Sequence, residues 1–256
     1  LGGGQNLIPY QDDIFLNLVT CALVIFGGIG FLVIREVIAK RFRWKKLSMH
    51  AKVVLFMSLV LTAAGTVLLK LTEDITWMGA FFTSVSARTA GFSTFPLGSF
   101  SGAGLLTVIV LMVIGASPGS TGGGIKTTTC YVLFEGIRSS ATNTSEKAFR
   151  YAVPADAFRK AAVITLLAIG IVLSGTYILV ILEPGVPFLD ALFEMSSAFG
   201  TAGLSTGISA GLCDAAKILT ILIMFIGRLG PLTIASLWYF TKGERVSYPE
   251  GNIAIG

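Results

Sequence analysis

Thr89-Ala90-Gly91-Phe92-Ser93-Thr94 returns as Thr201-Ala202-Gly203-Leu204-Ser205-Thr206, with every residue displaced by 112 (91 to 203). The same displacement pairs Phe81 with Phe193 and Ser84 with Ser196 upstream, and Ile114-Gly115 with Ile226-Gly227 downstream. Before each copy lies an apolar stretch of helical pattern, Trp77 to Ser86 and Phe188 to Ala198, too short to cross a bilayer. One Thr-Ala-Gly after a helix reads equally well as a C-cap in which Gly takes the left-handed conformation. Two copies at the same place in a repeated unit argue for more than a cap.

The surroundings of the repeat are apolar. Hydrophobic residues make up 54% of the chain, charged residues 13%, and the mean hydropathy is +0.81. A soluble domain averages about 25% charged residues, so this chain cannot cover a water-facing surface and bilayer is its expected solvent. Uncharged stretches long enough to span run over Ile14 to Ile34, Ala103 to Ile125 and Ala161 to Leu182; Val53 to Leu69 is slightly short and bracketed by Lys52 and Lys70, and Ile218 to Phe240 is interrupted by Arg228. The expectation is five spans in an all-α membrane protein. The two short helices dip in and return, because irregular backbone at membrane depth needs a protein lining or an aqueous path.

The net charge of +5 sits in short connections rather than on one face, which argues against nucleic acid. Arg35, Lys40, Arg41, Arg43, Lys45, Lys46 and Lys52 stand against Glu36 alone, and the later connection holds Arg138, Lys147, Arg150, Arg159 and Lys160. Lys and Arg mark cytoplasmic loops. The opposite connections carry Asp12, Asp13, Glu73, Asp74, Glu183 and Asp214, so the N-terminal end is expected outside and the C-terminus inside. A start outside, with no signal segment, predicts that Leu1 to Asn6 belongs to the middle of a longer polypeptide. Residues 1–50 then close a preceding repeat and add a basic loop, 51–150 form one repeat with an intramembrane Gly-rich loop, and 151–256 form a second with a cytoplasmic end.

A dehydrated cation is well served by such loops. Backbone carbonyls replace its hydration shell without the trapping strength of carboxylates. Glycine permits the backbone conformations that aim successive carbonyls at one axis, and the short helix points its negative C-terminal end there. Neither loop contains an acid. Asp190 and Glu194, one turn apart before the second loop, read first as hydrogen-bonding partners that fix the helix.

The third span holds Gly115-Ala116-Ser117-Pro118-Gly119-Ser120-Thr121-Gly122-Gly123-Gly124, which cannot continue as a helix. A phosphate-binding P-loop is disfavoured because Ile125 separates Gly124 from Lys126 and no strand precedes. A close-packing break of small residues is the plainer alternative. Arg228 in mid-span is costly and should face a cavity with partners. His50 reads as an interface residue, and Cys21, Cys130 and Cys213 lack metal spacing.

These motifs together resemble the Trk/Ktr/HKT superfamily of potassium transporters, nearest to the membrane subunits of its Ktr systems. The resemblance rests on Arg88 to Thr94, Gly200 to Thr206, Gly115 to Thr128, Ile226 to Thr233 and the ending Tyr248-Pro249-Glu250, and it covers essentially the whole chain. It implies four span–pore helix–loop–span units around one pore, of which this chain holds two, too few loops to enclose an ion. It implies an ion filter at Thr89, Ala90, Gly91, Phe92, Thr201, Ala202, Gly203 and Leu204, with K⁺ held at Thr89, Gly91, Thr201 and Gly203. It implies a gate formed by Gly115, Ala116, Ser117, Pro118, Gly119, Gly122, Gly123, Gly124 and Lys126 with Arg228 against it. It further implies transported K⁺, Na⁺ as an activator, a homodimer in the bacterial cell membrane, and a cytosolic ring of nucleotide-binding subunits that would carry any ATP or ADP. The competing class is a secondary transporter with broken helices and a small solute at the midplane. Its repeats often run inverted, whereas these two run parallel. An intramembrane enzyme lacks the nucleophile–base or metal cluster it needs.

Overall fold

In the computed structural model, residues 6–144, 147–149, 151–230 and 233 are described. Among them the fold is helical: α1 (Ile14–Ile29), α2 (Phe31–Ala39), α3 (Met49–Thr72), α4 (Trp77–Ser86), α5 (Gly102–Val113), α6 (Thr127–Thr142), α7 (Ala155–Leu182), α8 (Phe188–Gly200) and α9 (Asp214–Leu229). The exception is a two-residue antiparallel ladder between α6 and α7, with Lys147 opposite Ala152 and Ala148 opposite Tyr151. Long helix, short helix, loop and helix therefore follow one another twice, as α3–α4–α5 and as α7–α8–α9.

Side-chain oxygens start several of these helices. Asp13 accepts the Leu16 N–H, Ser48 that of Ala51, Thr76 that of Gly79 and Ser101 that of Gly104, each satisfying one orphan donor of a first turn. The short helices are the most enclosed. Residues 82–86 of α4 and 193–200 of α8 are buried without interruption. A helix buried all round belongs to an interior. Around α4 stand α3 and α1, and around α8 stand α9, α5 and α7. The outer helices turn large apolar side chains outward, among them Leu59 and Leu71 on α3, Leu166 and Tyr177 on α7, and Ile221 and Phe225 on α9. Apolar outside and enclosed inside is the arrangement a lipid solvent selects.

Among the described residues two helices, Met49–Thr72 and residues 156–182 of α7, are long and apolar enough to cross a membrane, and α1 with α2 make a third if the bent pair counts as one span. Of the five expected spans, two are thus unbroken helices of spanning length and a third is a bent pair. Ile14 to Ile34 is interrupted at Gly30, where the chain bends by 96°. Gly30 has φ +90°, and a Cβ there would lie 2.7 Å from the Pro118 oxygen, so a close approach of the Gly-rich loop makes the break. Ala103 to Ile125 is helical only to Val113. The last span is helical to Leu229 and turns at Gly230, also at φ +90°; its expected continuation to Phe240, and the Tyr248-Pro249-Glu250 ending, lie outside the described residues.

Two carboxylates pin the repeats in the same way. Glu73, capping the end of α3, accepts from the Ser101 N–H at 2.9 Å and its hydroxyl at 2.6 Å. Glu183, capping the end of α7, accepts from the Cys213 N–H at 2.6 Å. Each latch ties the end of a long helix to the start of the helix after the loop.

Candidate functional site

The two repeated loops share positive φ at the same two positions and lie against each other. Thr89 and Gly91 have φ of 84° and 78°, and Thr201 and Gly203 have 51° and 83°. Positive φ in a β-branched threonine is an outlier that persists only where the surroundings enforce it, and such strain, on the order of 1–3 kcal/mol per residue, gathers at functional sites. A Cβ on Gly91 would lie 2.6 Å from the Ala202 oxygen and 3.3 Å from Gly203 Cα, so only glycine lets the loops approach this closely. Ala202 and Leu204 are buried beside them, while Phe92 is partly exposed.

Each loop is braced from its own short helix. The Ser86 hydroxyl donates to the Phe92 oxygen. In the second copy, the Ser205 hydroxyl donates to the Glu194 carboxylate, which also accepts from Ser209 at 2.9 Å. Glu194 is thus a loop-fixing acceptor. Asn6 donates from Nδ2 to the Gly91 oxygen at 3.0 Å, and the Leu7 N–H donates to the Ser93 oxygen at 3.0 Å. Arg88, buried at 7% exposure, donates to the Ser58 oxygen at 3.1 Å and to Thr62 Oγ1 at 3.3 Å, which fixes the first loop's entrance to α3.

The Gly-rich segment between α5 and α6 runs directly under both loops. A Cβ on Gly122 would lie 2.8 Å from Thr89 Cγ2, and one on Gly123 would lie 2.7 Å from Thr201 Oγ1. The Gly123 N–H donates to Thr201 Oγ1 at 3.0 Å. The segment is anchored at both flanks: the Ser117 N–H donates to the Gly28 oxygen at 3.0 Å, the Phe31 N–H to the Gly119 oxygen at 3.3 Å, and the Gly124 N–H to the Gly227 oxygen at 3.3 Å. Ser117 and Thr127 share a hydroxyl hydrogen bond of 2.9 Å at the segment's two ends. Ala116 and Ser117 are fully buried, Pro118 is half-buried, and Gly115 folds so tightly that a Cβ would sit 3.0 Å from the Gly123 carbonyl carbon.

Two cations hold the segment from its other side. Lys126 donates from Nζ to the Gly122 oxygen at 2.6 Å, and Arg228 donates to the Thr121 oxygen. Arg228 stands in the last turn of α9, just before the chain turns at Gly230. Thr89, Gly91, Thr201 and Gly203 therefore meet residues 121–124, Lys126 and Arg228 in one cluster. Residues that the sequence reading does not single out are Asn6, Ser86, Gly28 and Gly30. One signal for them is present: Gly27-x-x-Gly30 returns as Gly227-x-x-Gly230.

Residues 47–241 match the TrkH family, described as cation transport proteins. The chain belongs to the TrkH family. This is a family of membrane transport proteins, not of enzymes. The chain is 36% identical to Ktr system potassium uptake protein B of Bacillus subtilis over 98% of its own length and 59% of that protein's. It is 37% identical to Ktr system potassium uptake protein D of the same organism, over 99% of itself and 60% of that protein. It is 32% identical to the potassium/sodium uptake protein NtpJ of Enterococcus hirae, again over 99% and 60%. This TrkH-family chain thus spans about three-fifths of the length of these relatives. Its fold is that of the crystal structure of the potassium transporter TrkH from Vibrio parahaemolyticus, with a TM-score of 0.71 at 20% identity over 87% of this chain and 52% of that one.

Proposed function

We propose that this chain forms part of a K⁺-conducting pore in a bacterial membrane, with Thr89–Phe92 and Thr201–Leu204 as two of its filter loops. The observation that carries the reading is the paired conformation of these loops: positive φ at every second residue, and glycine backbones in near contact. Alternating left-handed residues turn carbonyls that would alternate in a strand toward one side, where they replace water around a cation. The enclosed α4 and α8 aim their C-terminal ends at the loops and add a favourable potential for positive charge. Ion ligation falls to the backbone oxygens of Thr89, Gly91, Thr201 and Gly203 and to the threonine hydroxyls. The names of the uptake proteins it resembles favour K⁺, and NtpJ brings Na⁺ within the class.

In this reading residues 115–126 are the gate, lying across the path beneath the filter with Lys126 and Arg228 as fixed positive charges that raise the barrier to a cation. Residues 51–150 and 151–256 are two pore repeats, and residues 1–50 close another. Two loops cover only part of a ring, so conduction takes further loops beside them. The basic connections face the cytoplasm, with the N-terminal end outside. There they suit a ring of nucleotide-binding regulatory subunits beneath a homodimer.

The test is ion flux into liposomes holding the complete transporter polypeptide, comparing K⁺, Na⁺ and a small organic solute. The proposal expects K⁺ flux above Na⁺ flux and no solute flux. Solute uptake with no ion preference would instead establish the midplane-solute transporter.

A further inference from the structure

The hydrogen bonds of one peptide unit decide which pole of the intramembrane segment meets the ion path. Gly122 C=O and Gly123 N–H belong to the same planar trans peptide and therefore point in opposite directions. The N–H end donates to Thr201 Oγ1 at 3.0 Å, and the C=O end accepts from Lys126 Nζ at 2.6 Å. The neighbouring peptide is held likewise: Thr121 C=O accepts from Arg228, and Gly122 N–H donates to Ser120 Oγ at 3.3 Å. The segment thus presents an amide hydrogen to the filter threonine and turns its carbonyl oxygens away, onto two cationic side chains. That polarity is wrong for a cation, which needs oxygens.

We propose that the Gly122–Gly123 peptide is the polarity switch of the gate, and that Lys126 holds it in the non-conducting orientation by capturing the Gly122 carbonyl. The inference rests on the filter reading above and assigns Lys126 and the Thr201 hydroxyl to the same latch, one at each end of a peptide plane. Both flanking residues are glycine, so rotation of this plane meets no Cβ of its own and is as cheap as a peptide rotation can be. Rotated or withdrawn, the plane would free Thr201 Oγ1 to ligate an ion and could offer the Gly122 oxygen in place of the N–H. By linkage, a cation seated at the threonine hydroxyls disfavours the latched plane, and the latched plane disfavours that cation to the same degree. Lys126 is a positioning residue here. Its role is distinct from that of a simple electrostatic plug, because a plug needs only its charge.

That distinction sets the experiment. In proteoliposomes holding the complete transporter polypeptide, Ser120→Cys is placed on the segment, with Cys130→Ser and Cys213→Ser as background. Its reaction with a membrane-impermeant thiol reagent is followed from the cytoplasmic side, beside K⁺ flux. Lys126→Gln keeps a donor and loses the charge; Lys126→Met loses both. Thr201→Ser keeps the acceptor; Thr201→Val removes it without altering charge. The switch predicts that Lys126→Met and Thr201→Val each speed labelling roughly tenfold, the scale of one hydrogen bond to a charged or buried partner, while Lys126→Gln and Thr201→Ser stay within about twofold of the parent. Raising K⁺ should speed labelling in the parent and lose that effect in Thr201→Val. Equal labelling of Lys126→Gln and Lys126→Met would overturn the proposal in favour of charge alone, as would unchanged labelling in Thr201→Val. Absence of K⁺ selectivity in the parent would remove the filter reading, while the labelling contrast would still report the peptide latch separately.

Discussion

Replacing Gly227 by Ala should separate α9 from α8. A Cβ at Gly227 would lie 2.7 Å from the Phe199 carbonyl carbon and 2.9 Å from Phe199 Cα, and nearer still to the carbonyl oxygen. Carbon atoms rest at about 3.5–4.0 Å, so α9 must withdraw by about 1 Å, since the obstacle is backbone and cannot turn aside. Overpacking of this kind costs about 1–3 kcal/mol, and a rigid partner puts the substitution at the upper end. The same movement stretches the Gly124 N–H to Gly227 oxygen bond, already 3.3 Å, beyond hydrogen-bonding range and loosens the Gly-rich segment. Gly170, on α7, provides the control, because a Cβ added there would meet nothing within 4 Å. There Ala removes the backbone entropy of a helical Gly and should stabilise by roughly 0.5–1 kcal/mol. In a chain of this size 1 kcal/mol moves Tm by about 2–4 °C. Thermal unfolding in detergent should therefore place Gly227→Ala several degrees below the parent and Gly170→Ala slightly above it. Gly227→Ala melting at or above the parent would refute the close α8–α9 approach, and with it the anchoring of the segment on α9.

Gly91→Ala should damage K⁺/Na⁺ discrimination more than Gly203→Ala: both force Ala into a left-handed conformation, at about 1–2 kcal/mol, but only the Gly91 Cβ meets backbone oxygen at 2.6 Å, against 3.5 Å to Gly91 Cα for Gly203. Reversal potentials or paired tracer fluxes read the difference, and unchanged selectivity in both variants would remove the filter assignment. Deleting residues 119–122 should raise basal K⁺ flux at equal expression, since the deletion removes the Thr121 and Gly122 carbonyls that Arg228 and Lys126 hold; equal or lower flux would count against a gate. The Cys213 N–H holds the Glu183 carboxyl below its usual range. A depressed carboxylate adds stability above its unfolded pKa and loses it as pH falls through the lowered one, so melting should weaken on the acid side, and Glu183→Gln should flatten that slope.

The sequence reading and the structure agree where a signal is local and part where it is made across the fold. The long apolar runs of α3 and α7 declare themselves in any window of the sequence, and the two Thr-Ala-Gly loops are legible because repetition multiplies a weak cap signal. The Gly-rich break after Val113 is equally plain, since no helix tolerates that composition. The bend at Gly30 is not, because Gly27-Gly28-Ile29-Gly30 sits in an otherwise apolar run and its cause, the Pro118 and Gly119 backbone, is almost ninety residues away. The turn at Gly230 after Arg228 is hidden for the same reason: hydrophobicity continues past it, while the helix end depends on a positive-φ glycine that apolar patterning does not encode.

The links on which the proposed gate rests are the farthest from any window. Gly123 meets Thr201 across 78 positions and Arg228 meets Thr121 across 107. Both are hydrogen bonds to a backbone group, so one partner in each is a main-chain atom that residue type does not advertise. Lys126 is the instructive case. Its position four residues after Gly122 is visible in the sequence, and so is its basic charge, which invites the reading of an electrostatic barrier. The peptide it captures, and the direction in which that peptide then points its N–H, exist only once Thr201 has been brought over the segment by α8. The charge is a property of the residue; the polarity of the Gly122–Gly123 peptide is a property of the fold.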